Sequence, residues 1–504
     1  METEIELKFF VKDKFVTMLR NKILDLKVLQ HNSKRLGNIY FETEDNWLRQ
    51  HDIGLRIRTY NDVFVQTVKT AGRVVAGLHQ RPEFNAEHTS TIPDLSLHPD
   101  DIWPKGRSIQ DLQQQIKPLF STDFTREQWL ISMADGSQIE VAFDQGEVIS
   151  GDKSEPICEV ELELRSGQID ALFTLARFLS DEGGMRLGNL SKAARGYYLA
   201  QGKPVIAPRH LSLVNTSSSD TVETCFINSL EHALDHWHRH EQLFFEGQEV
   251  GALYEIQNAI RFIRQTLLIY GDIVPRKASA ILRQEMKWLD GELTWLKEHF
   301  YLSDLLKDKG YILRKLDAQK TLVERLKEQK NKLPTAQDIQ ILFSSARYTG
   351  LLLDLSRWIL LRGWQPFMGK KAQQSLSQSV LVFSRDQLDN TWQDLSDAFP
   401  PEKIFDREGY IQEANRLMRN LYTGIGFANL YNVEERNRFR LPWSDLLEGI
   451  DDLNTLSPLE ALCDDLESSH RVQLLRWIKR QEISILHAME QTRIISIEVE
   501  PYWR

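Results

Sequence analysis

Glu4, Glu6 and Lys8 alternate with Ile5, Leu7 and Phe9 near the start of the chain. Side chains along a β-strand point to opposite faces in turn, so this spacing puts two carboxylates and an ammonium on one face and three apolar groups on the other. The pattern then returns. Arg56 and Arg58 share a face in Leu55–Arg58, Thr67 and Lys69 in Val65–Lys69, and Arg81, Glu83 and Glu87 in His79–Glu87. Glu140 and Asp144 share one in Ile139–Asp144, and Glu159, Glu161 and Glu163 in Cys158–Leu164; Arg126 lies in a further candidate strand, Phe124–Ile131. A solvated face scatters Lys, Ser, Thr and Gln. Here Arg and Glu are concentrated strand after strand, opposite Ile, Leu, Val and Phe. If the apolar faces pack against helices, the charged faces converge, and a sheet closed into a barrel acquires a charged interior.

The mixture of charges specifies a chemistry. Arg offers a planar fork matched to phosphate oxygens, and Lys adds a point charge. Carboxylates repel phosphate, so carboxylates on the same surface imply a divalent metal between the two. Mg2+ favours one or two carboxylates together with phosphate oxygens and water, and it can polarise phosphorus and activate water. A lumen of unpaired charge is costly unless it holds ions and a ligand. The constellation therefore predicts metal-dependent cleavage of a phosphate chain.

The elements that must position these residues occupy the first part of a chain of 504 residues, long enough for two or three domains. Up to about residue 200 the pattern is one of short alternating segments. From about residue 220 it becomes long 3.6-period segments rich in Leu, Gln, Arg, Glu and Trp. Between them lie Gly202, Pro204, Pro208 and Ser217–Ser219, a linker composition. The predicted organisation is a domain over 1–203, a linker over 204–219 and an all-helical domain over 220–504. Net charge is −10, from 62 Lys and Arg against 72 Asp and Glu, which argues against a nucleic-acid coat. Three cysteines exclude a disulfide framework and a cysteine-rich zinc site. The charged opening predicts no signal peptide, and the apolar run near Leu351–Leu361 is broken by Asp354 and Arg357. A cytoplasmic protein with no membrane partner is expected.

Glu4-x-Glu6-x-Lys8 resembles the ExExK signature of the CYTH superfamily, the triphosphate tunnel metalloenzymes. Tyr40–Thr43, Arg56-x-Arg58, Thr67-x-Lys69, Arg81-x-Glu83, Arg126, Asp144 and Glu159-x-Glu161 follow in the family's order. Asp45–Arg49, Gly77–Glu83 and Leu190–Tyr197 are similar to the subgroup of bacterial inorganic triphosphatases in which the tunnel is fused to a CHAD domain. The resemblance implies an α+β chain: an eight-stranded antiparallel β tunnel with flanking helices, then an α-helical bundle. It implies Glu4, Glu6, Lys8 and Asp144 as catalytic groups. Lys8, Arg56, Arg58, Lys69, Arg81, Arg126, Lys192 and Arg195 would grip phosphate, the last two from a short helix plugging one mouth. Glu4, Glu6, Asp144, Glu159, Glu161 and Glu163 would hold Mg2+, with Mn2+ as the alternative. The implied reaction is hydrolysis of inorganic triphosphate to pyrophosphate and phosphate. A thiamine triphosphatase, a class IV adenylate cyclase or a non-catalytic polyphosphate scaffold are the competing functions. Pro82 has no N–H to donate and predicts a bulge or irregular pairing in its strand. Because every candidate site residue precedes the linker, a chain ending near Gln201 is expected to fold and keep the site.

In the helical half, Ile256-Gln257-x-Ala259-x-Arg261-x-x-Arg264 with Gly271 recurs as Ile411-Gln412-x-Ala414-x-Arg416-x-x-Arg419 with Gly426. That is a two-fold internal repeat of helical bundles. The CHAD resemblance places a signature histidine and polyphosphate-binding cations here. This chain has Tyr254 and Gly409 at the histidine positions, and Gln257 and Gln412 at cation positions, so weak polyphosphate binding is expected. His232, His236, His238 and His240 read as a solvated helix face.

Overall fold

The computed structural model describes residues 2–61, 63–75, 77–188, 190–202 and 207–504. The chain forms two compact units, Met1–Ala207 with Gln340–Gly363, and Pro208–Ile339 with Trp364–Arg504. Part of the expected linker, residues 204–206, lies outside the described residues. The remainder is anchored at three points: Leu211, Val214 and Thr216 are buried, and the Val214 N–H donates to the Ile425 carbonyl (3.2 Å) inside the helical unit. Among the described residues, no helix is long and apolar enough to cross a membrane.

Among the described residues the first unit has ten strands: β1 (Glu2–Val11), β2 (Val28–Glu42), β3 (Gly54–Tyr60), β4 (Val63–Lys69), β5 (Arg73–Val75), β6 (Leu78–His88), β7 (Lys117–Ser132), β8 (Gln138–Ser150), β9 (Lys153–Ser166) and β10 (Met185–Leu187). Eight of them close an antiparallel ring in the order β1-β9-β8-β7-β2-β3-β4-β6, with β6 returning to β1. This is the expected eight-stranded barrel. Two short strands are added to it, β5 on β6 and β10 on the far end of β1. Strands β8 and β9 are joined by a two-residue turn in which Gly151 has φ +60°, a conformation suited to glycine in tight hairpins. Pro82 does not disturb its strand: the pairings of β6 with β1 and with β4 run without a register shift. Its carbonyl accepts from Thr70 N–H, on the side away from β1 and past the end of β4. The N–H it lacks would face the Thr70 carbonyl on that same side, and Arg81 Nε donates to that carbonyl instead (3.2 Å).

The apolar faces of the strands point outward. Leu7, Phe9, Val160 and Leu162 are buried beneath the helix Ile169–Leu179, which packs on β1 and β9. A second cluster of Leu55, Ile57, Val68, Leu95, Trp103 and Leu112 covers the β3–β4 side. The helix Ala346–Leu360, from far along the chain, belongs to this unit and packs on Ile169–Leu179 and β10. Thr349 Oγ1 donates to the Met185 carbonyl (2.7 Å), and Arg357 pairs with Asp170 (2.6 and 2.9 Å). The tunnel unit thus includes residues beyond Gln201, contrary to the expectation that it ends at the linker.

One end of the barrel is filled from within. The helix Lys192–Gln201 sends Tyr197 into a cluster of Leu36, Tyr40, Phe120, Phe124, Val148 and Ile157. Ser191 caps its N-terminus, accepting from Ala194 N–H (3.1 Å). Gly196 allows the approach, since a Cβ there would lie 2.0 Å from the Phe120 ring. Tyr197 donates to buried Glu42 (2.7 Å), which also accepts from the backbone N–H groups of Thr43, Leu48 and Arg49.

The second unit is helical. Its two repeat helices, Val250–Ile269 and Arg407–Phe427, pack together and are joined by Gln265 to Thr423 (3.2 Å) and Tyr422 to Asn258 (3.2 Å).

Candidate active site

Inside the barrel lies a cavity of about 570 Å3. Of the residues expected from sequence, Glu4, Glu6, Lys8, Arg56, Arg58, Lys69, Arg81, Arg126, Glu161, Glu163 and Lys192 line it. Asp144 and Glu159 lie fully buried behind the wall. Arg195 does not line it. The helix turn that carries Lys192 into the cavity directs Arg195 to Glu155 (2.8 Å), Glu159 (3.4 Å) and the Pro156 carbonyl, so its charge is used in packing the plug.

The six expected metal ligands fall into two groups. Asp144, Glu159 and Glu161 converge, with ligand atoms within 4.8 Å of one another. Cations already stand on them. Arg126 makes a fork with Asp144 (2.7 and 2.6 Å) and reaches Glu161 (2.7 Å). Lys192 contacts Asp144 (2.6 Å), Glu161 (3.0 Å) and Glu159, and Lys8 contacts Glu161 (2.7 Å). Arg126 and Lys192 overcome burial and hold the Asp144 carboxyl below its ordinary range. The second group, Glu4, Glu6 and Glu163, is more lightly neutralised: Lys69 reaches Glu4 and Arg165 reaches Glu163, and no ion pair among the described residues reaches Glu6. Burial, and then Glu161 and Glu4, push Glu6 up to about 7 against the pull of Lys8. Burial, and then Glu4, Glu140 and Glu6, push Glu163 up to about 8 although Arg165 touches it. Glu6 and Glu163, pushed up by burial and by neighbouring carboxylates, fit a hard divalent cation, which would relieve both penalties.

The opposite wall is short of negative charge. Arg58 Nε donates to Asn38 (3.0 Å), and no carboxylate among the described residues pairs with it. Burial, and then its neighbours Arg56 and Arg126, lower it to about 9. Lys34 is lowered by burial and then by Arg126 and Arg58. Arg81 donates to the carbonyls of Thr70 and Asp52 (both 3.2 Å). Lys69 is more committed, bridging Glu4 and Glu83 (2.9 Å). Lys34, His79 and Arg165 also line the cavity and were absent from the sequence expectation. The period-2 signal could have found His79, which precedes Arg81 by two residues.

The helical unit has a cavity of about 510 Å3 lined by Arg261, Arg264, Arg276, Arg283, Lys287, Lys297 and Arg419 against the single carboxylate of Asp290. Arg261 (3.3 Å), Arg264 (2.5 Å) and Gln257 (3.0 Å) all contact Asp290. Arg416 instead pairs with Asp394 (3.5 Å) and Glu413 (3.2 Å) outside it. The first repeat, through Arg261 and Arg264, and the second, through Arg419, therefore contribute to one cavity. The histidine run departs from expectation: His236, His238 and His240 are buried, not solvated. His236 bonds Glu255 (3.1 Å), while His240 accepts from Arg209 N–H (3.2 Å) and His232 bonds the Ser212 carbonyl (2.8 Å). The apolar face of Val222–Gly247 is wide enough to take these rings into the core.

Residues 2–197 match the CYTH domain family and residues 228–464 match the CHAD domain family. An inorganic triphosphatase of Haemophilus influenzae is 38% identical over 204 residues, covering 40% of this chain and 55% of that protein. The chain thus matches about half the length of that relative. A CHAD domain from the plant Ricinus communis superposes with a TM-score of 0.42 at 18% identity, over 57% of this chain and 96% of its own. A putative adenylyl cyclase from Hippeastrum, described as having a dominant triphosphatase activity, superposes with a TM-score of 0.29 at 20% identity, over 40% of this chain and 97% of its own.

Proposed function

From a chain that joins a CYTH domain to a CHAD domain, we propose a metal-dependent inorganic triphosphatase whose site is the barrel cavity. One observation carries the proposal: the cavity's two walls have opposite and complementary deficits. Arg58 and Lys34 have no ion-pair partner among the described residues, and Arg56 beside them meets Glu83 only at 3.8 Å. Glu6 has no ion pair among the described residues, and Glu163 stays raised to about 8 although Arg165 touches it. A triphosphate with a divalent metal satisfies both at once, whereas either ligand alone satisfies one. Arg56, Arg58 and Arg81 would bind and orient the phosphate chain with forked hydrogen bonds, and Lys8 and Lys192 would meet its inner end. Glu4, Glu6 and Glu163 would hold the metal, with Glu161 at the edge of both groups; Mg2+ suits this all-oxygen set, and Mn2+ is the alternative. The bound metal supplies charge neutralisation and an activated water. The plug of Tyr197 and Phe120 closes one end of the cavity to water, which strengthens the electrostatics inside.

The helical unit is a second polyanion binder. Seven cations facing one carboxylate give a strong positive field, but too few carboxylates to hold a metal between ligand and protein. Long-chain polyphosphate is the fitting ligand class, and binding there needs no metal.

Phosphate release by the full chain from tripolyphosphate, ATP, thiamine triphosphate and long polyphosphate, with and without Mg2+, tests the proposal. Metal-dependent release from tripolyphosphate well above the other substrates is expected. Equal release in excess chelator overturns the metal mechanism, and preference for an organic triphosphate overturns the substrate assignment.

A further inference from the structure

His79 is a cavity residue with no part in the chemistry above. Its Nε2 is buried and has no partner among the described residues. Its other ring nitrogen is hydrogen-bonded to the Gly188 backbone, which fixes the ring in the cavity wall. Burial, and then Lys8, push the imidazole down to about 4, so it is neutral at working pH. A buried, neutral, unpaired ring nitrogen is costly unless something binds it.

The strand register says what that is. His79 of β6 stands directly opposite Glu6 of β1, and Glu6 stands opposite Glu163 of β9 on its other side. Three potential ligands thus occupy one level of the barrel on three adjacent strands, all facing the cavity. Among the described residues no ion pair reaches Glu6. A metal-binding histidine is commonly oriented by a backbone carbonyl on its second nitrogen, which is the arrangement His79 has with Gly188. The donor atoms of this row do not converge as those of Asp144, Glu159 and Glu161 do. A cation bound between Glu6 and Glu163 would offset the burial of both carboxylates.

We propose that His79 supplies a nitrogen ligand, beside Glu6 and Glu163, to the divalent metal of the barrel cavity. The inference rests on the proposed metal-dependent function of that cavity. A nitrogen donor is indifferent to Mg2+ and favourable to Mn2+, so this chain would bind Mn2+ more tightly than an all-carboxylate site would.

Electron spin-echo modulation of the full-length protein loaded with one equivalent of Mn2+ tests this directly. The expected spectrum shows 14N coupling from a directly bound imidazole, converted to the 15N pattern when the protein is labelled with 15N-histidine. The coupling is lost in His79→Gln, whose affinity for Mn2+ falls about tenfold while that for Mg2+ stays within a factor of about three. Equal thermal melts of the two proteins in chelator confirm that the variant folds, and the isotope effect in the wild type needs no variant. If Glu6→Gln abolishes Mn2+ binding but the wild type shows no nitrogen coupling, or coupling that persists in His79→Gln, His79 is not a ligand and the cavity's metal site stands. If Mn2+ binding is indifferent to Glu6→Gln, the metal-site assignment fails and this inference fails with it.

Discussion

The chain contains two cavities of similar volume, about 570 and 510 Å3, and both gather Arg and Lys. They differ in their carboxylates. The barrel cavity sets Glu4, Glu6, Glu83, Glu140, Glu161 and Glu163 among its cations, whereas the helical cavity has Asp290 alone. Cations by themselves make a polyanion receptor. Adding carboxylates that the protein's own cations do not neutralise makes a place for a metal, and with it a route to cleavage. The difference follows from the scaffold. Alternate residues of eight strands all face one lumen, so opposite charges can be placed within a few ångströms on neighbouring strands. A helix offers one face with neighbours at i+3 and i+4, and Arg261 and Arg264 use theirs on the same carboxylate.

Breaking a neutralised carboxylate should have the largest effect. Arg126→Ala leaves Asp144 buried without its fork, and the expected cost is about 3–5 kcal/mol of stability, read by chemical denaturation. Glu6 lies on the other side of the comparison. Glu6→Gln should leave the fold intact and lower kcat/KM for tripolyphosphate at least ~100-fold, with no change in polyphosphate binding by the helical unit. A small effect on turnover would erase the distinction between the two cavities. Arg58→Ala removes a cation that has no carboxylate to leave behind. Triphosphate affinity should fall by about 1.5–3 kcal/mol while the melting temperature stays level or rises. A large loss of stability would show that Arg58 is paired after all.

Two smaller effects sharpen the contrast. Glu6 and Glu163 hold protons in the folded state at pH values where the unfolded chain has released them. Their contribution to stability is therefore greatest below about 4.5 and is lost as pH rises through about 7 and 8. In chelator the barrel unit's melting temperature should fall across that window, and added Mg2+ should restore more at pH 8 than at pH 6. A metal-induced shift independent of pH would count against these two carboxylates as ligands. In the helical cavity, Asp290→Asn should tighten polyphosphate binding several-fold at low salt by freeing Arg261 and Arg264, with the gain fading at physiological salt. Weakened binding would mean that Asp290 shapes the site instead of competing for it.

Much of the barrel was legible because its signal repeats. Glu4, Glu6 and Lys8 alone describe any edge strand, but the same alternation at Arg56–Arg58 and Glu159–Glu163 describes a shared interior. What period 2 leaves open is depth. It puts Glu159 and Glu163 on one face, yet one is sealed behind Lys192 and the other lines the cavity. It also cannot tell Lys192 from Arg195, three residues apart on one helix, until the helix is docked. Pro82 looked disruptive because its strand was read without its neighbours; the Thr70 carbonyl that its N–H would have met takes Arg81 Nε instead. The buried histidines were misread for a related reason. Imidazole is polar in sequence, but His236 and His240 find partners in Glu255 and backbone groups, so the core accepts them.

The helix Ala346–Leu360 has a consequence for how the protein is made. It begins about 145 residues after the plug helix ends, and it covers part of the helix lying over β1 and β9. At synthesis rates of roughly 5–20 residues per second, the ribosome spends on the order of ten seconds or more between the two. Through that interval the barrel can close around its charged interior while Thr349, Arg357 and the surface they bring are still missing. A nascent chain of this kind presents a sticky patch that only its own later translation can cover. A chain ending at Gln201 would keep that patch for good, and should assemble its lumen yet melt earlier and aggregate sooner than the full chain.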